Sequence, residues 1–479
     1  MKNKKFEKLI NKLKRWISIY EKKGKLDSAL SLIKTCATLL YTANYTYSDE
    51  FLEDRLNSIS KRIYQPDSII AADDVIAFYD GFGLDDRGLA KIYILALCKT
   101  SKKIIYITDI NNKNRINGLL SILSANNQTV CFYDGSSLCN RIKNISDIIV
   151  NHHVSKLFFY SMPDDVVGVS VMNVFSGRIT IFQVNLTDHA FWLGSKPIDI
   201  CIEFRIYGAS ISKEYRAIPY EKLVCIPFYP IIDICKQFEG YPFDWDPSKK
   251  VIFSGGALYK TFGDGNKYYK IVDYILRNHK DVIFWYAGSG DDSEFRKLMD
   301  IYPNRVFLTP ERHDLFQVLQ HCYLYLSTYP LCGGLMFQYA AKAGRIPVTL
   351  INSNVSDGFL LNQSNLGIEF YNLDDLYNEI DRLIKDEKYH SSKELLISES
   401  VISSEHFNKL VNNLVNSNYD LISPSDFYHI DTHDFTRIYI DQLSEKTVNG
   451  IIVKRDNIAC LKALPLEFMK GVICKVFNI

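Results

Sequence analysis

The sequence predicts an α/β protein with two parallel-sheet domains. Three observations predict it. Short apolar runs bounded by Gly, Asp and Pro recur through residues 67–225 and again through 249–420, each alternating with segments of helical spacing. A stretch with four prolines and little periodicity, 226–248, separates the two series. Ahead of them, residues 1–66 carry apolar side chains at three- and four-residue intervals. Strand–loop–helix–strand alternation builds parallel sheets. The expected plan is therefore a helical segment (1–66), a first α/β domain (67–225), a linker (226–248), a second α/β domain (249–420) and a mixed extension (421–479).

The elements follow in order. In the first segment Phe6, Leu9, Leu13, Trp16 and Ile17 form one stripe on a basic helix. Such a helix either packs on its own protein with its charges solvated, which is the commoner case, or lies on a membrane surface. "DVIAFYD" (74–80) reads as a buried strand, "GFGLDDRG" (81–88) as a turn, "LAKIYILALCKTS" as a helix and "KKIIYITD" as a second strand. The alternation continues through "TVCFYD", "ISDIIVNH", "KLFFYS" and "ITIFQVNL". The second series begins at "KVIFSGG" and runs through the strands "DVIFWYAGSG", "RVFLTP", "YLYLST" and "IPVTLI", with helices between them. A helix, "SEHFNKLVNNLVNS", leads into the extension.

Composition narrows the function. The formal net charge is +1, from 56 basic and 55 acidic side chains, so no global field draws nucleic acid or an anionic surface. The 11 cysteines contain no CxxC pair and read as reduced thiols of a cytosolic protein. The basic start lacks the apolar core and cleavage site of a signal peptide. No apolar run approaches the ~18 residues of a spanning helix, so any membrane contact is expected to be peripheral. His152-His153 has no third ligand at recognisable spacing, and no metal site is expected.

The most legible stretch is "STYPLCGGLMFQYAAKAGRIPVTL", 327–350. A strand ends, and Gly333-Gly334 opens a helix. In open parallel sheets ligands sit beyond the carboxyl ends of the strands. A helix start offers unpaired N–H groups and a partial positive charge, which suits a phosphate. Glycine lets the ligand approach the backbone. The pair reads as a diphosphate cradle, or as an ordinary tight turn.

The order of elements, together with "GGLMFQYAAKAGRIPV", resembles the GT-B glycosyltransferases over roughly residues 67–420. The resemblance implies two Rossmann-like domains facing across a cleft, the C-terminal one holding a nucleotide-sugar. "STYPLCGG" is similar to the inverting branch that includes O-GlcNAc transferase and the bacterial protein N-glucosyltransferases. The glutamate pair of many retaining members is missing, since no Glu stands between Glu311 and Glu369. Gln338 or Tyr339 occupies the place of the usual ribose-binding carboxylate, where a neutral bond is about half as strong as a charged one.

The resemblance implies donor contacts at Gly255, Gly256, Lys260, Gly288, Glu311, Arg312, Gly333, Gly334, Leu335, Gln338 and Tyr339. Lys260 would offset charge on the leaving nucleoside diphosphate; the plain alternative is a solvated surface lysine. Gly81, Gly83 and Trp192 fall on the acceptor side. Gly81 and Gly83 make no dinucleotide fingerprint, and Asp85, Asp86 and Arg87 read as helix caps. In "VNLTDHAFWLG", His189 suits the general base of an inverting transfer. Asp188 is the alternative base, or orients the imidazole; a structural histidine is the plain reading. On an extended strand the two side chains would point apart and need not touch. Glu203, Arg205 and Arg216 line the cleft or, preferably, form a surface hairpin with ordinary ion pairs.

The expected function is metal-independent, inverting transfer of a sugar from a UDP-linked donor to an acceptor in surface polysaccharide or protein glycosylation, in a bacterial cytoplasm. Domain closure would exclude water. No cofactor beyond the nucleotide-sugar co-substrate is expected, and nothing indicates an oligomeric state. A sugar-nucleotide epimerase on the same fold would need carboxylates facing the sugar. A non-catalytic binding partner would use the first segment and the extension as surfaces.

Overall fold

The computed structural model describes residues 3–66, 71–85, 89–233, 235–351, 366–453 and 458–477. The chain divides into two compact units, one of residues 1–226 and 408–479, the other of 227–407.

The first unit opens with helices α1 (Asn3–Lys22), α2 (Leu26–Ala43) and α3 (Glu50–Ile63). Phe6, Leu9, Leu13 and Ile17 are buried as the periodicity requires, with Trp16 half-buried beside them. Helix α2 buries residues around most of its circumference, among them Leu30, Leu32, Ile33, Cys36, Leu39 and Leu40, because helices pack on it from several sides. The helical segment is therefore not a separate body. It shares one hydrophobic core with the sheet that follows.

That sheet alternates β1 (Ala72–Asp80), α4 (Ala90–Leu97), β2 (Lys103–Asp109), α5 (Asn117–Ala125), β3 (Thr129–Tyr133), α6 (Leu138–Asn151), β4 (Val154–Tyr160), α7 (Val166–Phe175), β5 (Thr180–Val184), β6 (Ile200–Glu203), α8 (Ile206–Tyr215) and β7 (Leu223–Cys225). The strand order is β3-β2-β1-β4-β5-β6-β7, with every pair parallel. "ISDIIVNH" closes α6, with Ile145 and Ile149 on its buried face. Strand β7 was concealed in the sequence by the prolines beside it.

The second unit runs through β8 (Lys250–Gly255), α9 (Lys267–Asn278), β9 (Val282–Ala287), α10 (Ser293–Ile301), β10 (Val306–Thr309), α11 (Leu315–Gln320), β11 (Leu324–Leu326), α12 (Gly334–Lys342), β12 (Ile346–Leu350), β13 (Glu369–Phe370), α13 (Leu373–Lys385) and α14 (Glu387–Ser398). Its order is β10-β9-β8-β11-β12-β13, again all parallel. Both sheets are doubly wound, with the order reversing beside the first strand of each.

Two boundaries differ from the sequence reading. The proline-rich stretch packs into the second unit, where Phe243 contacts Trp285 and Phe307, and Phe238 stacks on His321. The chain re-enters the first unit at 408, within α15 (Ser404–Val415), rather than ending a domain at 420. The extension is helical, with α16 (His433–Gln442), α17 (Glu445–Val453), α18 (Ile458–Ala463) and α19 (Pro465–Phe477). Leu443, Val448, Ile452 and Cys460 join the core of the first unit. Among the described residues no helix is long and apolar enough to cross a membrane.

Candidate functional site

In the second unit the order reverses between β8 and β11, which pair directly. The loops leaving these two strands flank the crevice where doubly wound sheets take ligands. The β8 loop carries Lys260 and the β11 loop carries Cys332 and Gly333. They are tied together, since the Leu331 N–H donates to the Lys260 carbonyl at 3.3 Å. The Thr328 hydroxyl donates to the Leu331 carbonyl at 2.7 Å and fixes the turn. Burial lowers the pKa of the Lys260 ammonium, and the Cys332 thiol opposes that shift. Burial pushes that thiol up to about 11, and the Lys260 charge draws it down. A partly desolvated cation thus stands next to the start of α12.

Helix α12 begins at Gly334 with no side-chain cap. Its first N–H groups have no acceptor within the helix. Gly333 has φ −95°, accessible to any residue. A Cβ there would meet nothing closer than 3.7 Å. Gly333 is itself buried, yet the protein's own packing does not demand glycine there, and Gly334 and Leu335 after it are more accessible.

The other glycines divide differently. A Cβ on Gly288 would lie 1.9 Å from the Gly256 carbonyl oxygen. Gly256 has φ +134° and donates to the Ala287 carbonyl at 3.0 Å. A Cβ on Gly255 would sit 3.0 Å from that same carbonyl oxygen. These three glycines let the β8 and β9 loops approach one another closely. Gln338 is buried, and Tyr339 donates its hydroxyl to the Ile231 carbonyl at 2.8 Å. Leu335 is exposed beside the helix start, and Glu311 is exposed after β10. Arg312 is committed internally, with both its Nε and its Nη2 bonding Asp314 at 2.7 Å and its guanidinium lying over Trp285.

The first unit holds the other candidates. Residues 186–190 form a turn beyond β5 rather than an extended strand. Asp188 and His189 therefore do touch, contrary to the strand reading, with His189 Nδ1 3.1 Å from Asp188 Oδ1. Asp188 is fully buried and its other oxygen accepts from Arg205 Nε at 2.6 Å. Burial alone would raise the Asp188 pKa, but Arg205 and His189 outweigh it and hold the carboxyl below the usual carboxylate range. A carboxylate held so firmly ionised is a poor base and a good orienter. Accepting from an Nδ1–H, it would fix the tautomer and orientation of the ring. The His189 side chain is 35% exposed, in contrast to the buried Asp188.

The turn has further support. Arg216 is buried and donates to the carbonyls of Thr187, Asp188 and Ala190 at 2.9, 3.0 and 2.6 Å. Glu203 is buried at the end of β6, accepting from Asn185 and Ser212. The surface hairpin read for Glu203, Arg205 and Arg216 is replaced by a buried scaffold for the histidine. The N-terminal helices also contribute. Asn44 donates to the His189 carbonyl at 3.0 Å, and the Gly194 N–H donates to Glu53 at 2.7 Å. Sequence reasoning missed Asn44 and Glu53, since only tertiary packing brings them to this turn.

The acceptor-side candidates sit in close packing. Trp192 is buried, under the Arg216 guanidinium. A Cβ on Gly81 would fall 2.1 Å from Ser161 Oγ. Gly83 has φ +58°, with Asn112 2.1 Å from its notional Cβ. Asp85 does cap a helix, but it is α5, through the N–H groups of Gly118 and Leu119 at 2.6 and 2.8 Å. Asp86 and Arg87 lie outside the described residues. His152 contacts Cys131 Sγ at 3.5 Å, and among the described residues no group of three or more His, Cys, Asp or Glu could hold a metal.

No protein-family model and no curated protein matches the chain. Solved structures do. A mutant of Thermobaculum terrenum O-GlcNAc transferase superimposes with TM-score 0.52 at 12% identity, over 95% of this chain and 83% of that one. The fold is of the GT-B type. HepE of Anabaena in complex with UDP and glucose is similar with TM-score 0.47 and 14% identity, over 72% of this chain and all of that one. The UDP-GlcNAc 2-epimerase of Neisseria meningitidis bound to UDP-GlcNAc gives TM-score 0.45 and 13% identity, over 72% and 98% of the two chains. At these identities the likeness is one of fold.

Proposed function

We propose that this chain is a glycosyltransferase that uses a UDP-linked sugar and inverts the anomeric centre. The observation that carries the reading is the convergence, at the switch point of the second unit, of Lys260 with the uncapped start of α12. A cation and a helix N-terminus together suit a diphosphate, and both bind it more strongly as its charge grows on departure. In the reaction the acceptor oxygen or nitrogen bonds to the anomeric carbon. The bond from that carbon to the diphosphate oxygen breaks, and UDP leaves with the electron pair. His189 Nε2 takes the acceptor's proton, with Asp188 holding the imidazole in the required tautomer. The acceptor is a growing surface glycan or a protein side chain, and the diphosphate is met by Lys260 and helix amides rather than by a metal.

The test is incubation with a panel of UDP-sugars, following free UDP and the sugar. Slow UDP release that His189→Ala abolishes while donor affinity persists supports the reading. Interconversion of the sugar without UDP release assigns an epimerase instead. Failure of UDP to bind removes the catalytic reading.

A further inference from the structure

Helix α19 carries an apolar face that no described residue of the first unit covers. Leu466, Met469, Ile473 and Val476 stand 71%, 53%, 48% and 69% exposed. Their spacing of three and four places them in one stripe along the helix. Gly471, on another side, is buried against α17, where its notional Cβ would be 2.4 Å from Val453. The helix is thus docked by one side and bare on another. In the short helix before it, Ile458 is 71% exposed as well. Scattered apolar residues on a surface are ordinary, but a contiguous run marks an interaction site.

Charge identifies the occupant. Lys470 neighbours the stripe on α19 and also lines a groove formed with α1 and α17. The same groove is lined by Lys5, Lys8 and Lys12, one face of the basic first helix. Glu445 and Glu467 are the acidic side chains of the groove, and Glu445 pairs with Lys5 and Lys470. Positive charge therefore exceeds negative along this border of the apolar stripe, although the whole chain is nearly neutral. An apolar helical stripe flanked by lysines fits the boundary between acyl chains and anionic headgroups.

We infer that α19, with the lysine row of α1 beside it, docks the first unit on a bilayer containing anionic lipid. The contact is interfacial. The stripe enters the headgroup region and the lysines meet phosphate charge. This inference is independent of the proposed chemistry.

The test is co-sedimentation of the full chain with vesicles of phosphatidylcholine alone and with vesicles that also contain phosphatidylglycerol. Binding is expected only to the second kind, and it should weaken with salt. The double variant Leu466→Glu/Ile473→Glu alters exposed positions and should keep the wild-type Tm while losing tenfold or more in partitioning, roughly what two buried aliphatic side chains supply. Reversing Lys8 and Lys12 to Glu should cost roughly fivefold each or more. Three results overturn the inference: no partitioning to anionic vesicles, equal partitioning of the Leu466→Glu/Ile473→Glu variant, or self-association in size-exclusion chromatography that this variant abolishes. The last would show that a second copy of the chain covers the face.

Discussion

Replacing Asp188 by Asn tests the orienting role and the scaffold together. The carboxylate is fully buried, bonded to Arg205 Nε at 2.6 Å and to His189 Nδ1 at 3.1 Å. An amide is nearly isosteric but neutral. It leaves the buried Arg205 charge without its counter-ion, and breaking a buried pair in this way costs about 3–5 kcal/mol. In a unit of this size that lowers Tm by roughly 5–15 °C. The amide oxygen still accepts from Arg205, so the NH2 group turns to His189. The imidazole must then accept at Nδ1 and carry its proton on Nε2, which disables it as a base. A general base supplies about 10²–10⁴ in rate, and kcat should fall by that factor with donor affinity retained. The assays are thermal unfolding and UDP release at saturating donor. Adding Arg205→Leu should restore part of the stability, because removing both partners of a buried pair is far less costly than removing one. It should restore no turnover. Wild-type Tm and kcat in Asp188→Asn would refute the reasoning, as would recovery of turnover in the double variant.

Three further outcomes follow from the same geometry. Gly333→Ala should fold normally, since its Cβ meets nothing within 3.7 Å, yet lose roughly tenfold or more in UDP affinity as a backbone contact to a charged ligand is blocked; Gly288→Ala, with its Cβ 1.9 Å from a carbonyl oxygen, should instead lower Tm. Lys260→Met should leave Tm unchanged or higher, because burial already disfavours the ammonium, while UDP-release rates fall by about 10²-fold or more. Burial raises the Glu53 carboxyl to about 7. The folded state therefore keeps a proton that the unfolded state has released, and stability falls as pH rises from about 4.3 to the folded value. Glu53→Gln keeps an acceptor for the Gly194 N–H, and unfolding measured across that range should show a flatter profile.

Much of the fold was legible because its signals are local. Buried parallel strands such as β1, β4 and β9 read as continuous apolar runs, and α1, α9 and α10 show their faces in spacing alone. The candidate site was legible in part. Paired glycines at a strand-to-helix junction marked the start of α12, and a His beside an Asp singled out the segment after β5, though not the turn it makes there. The remaining glycines could not be sorted, because Gly333, Gly288 and Gly83 look alike in a sequence. They differ only in what stands where a side chain would go: Gly288 and Gly83 face Gly256 and Asn112 from elsewhere in the chain, while Gly333 has only Met336 and Thr328 at ordinary contact distance.

The sequence by itself determined two doubly wound parallel sheets, a helical lead segment and a glycine-opened helix after the fourth strand of the second sheet. Backbone periodicity and the placement of Gly and Pro are sufficient for that, since each reflects the local geometry of one element. Tertiary structure decided the rest. It turned the Asp188–His189 segment so that the two side chains meet, buried Arg205 and Arg216 as its supports, and brought Asn44 and Glu53 to it from the first helices. It also gave the last helices to the first unit. These outcomes depend on which distant surfaces exclude water together, and no local pattern records that.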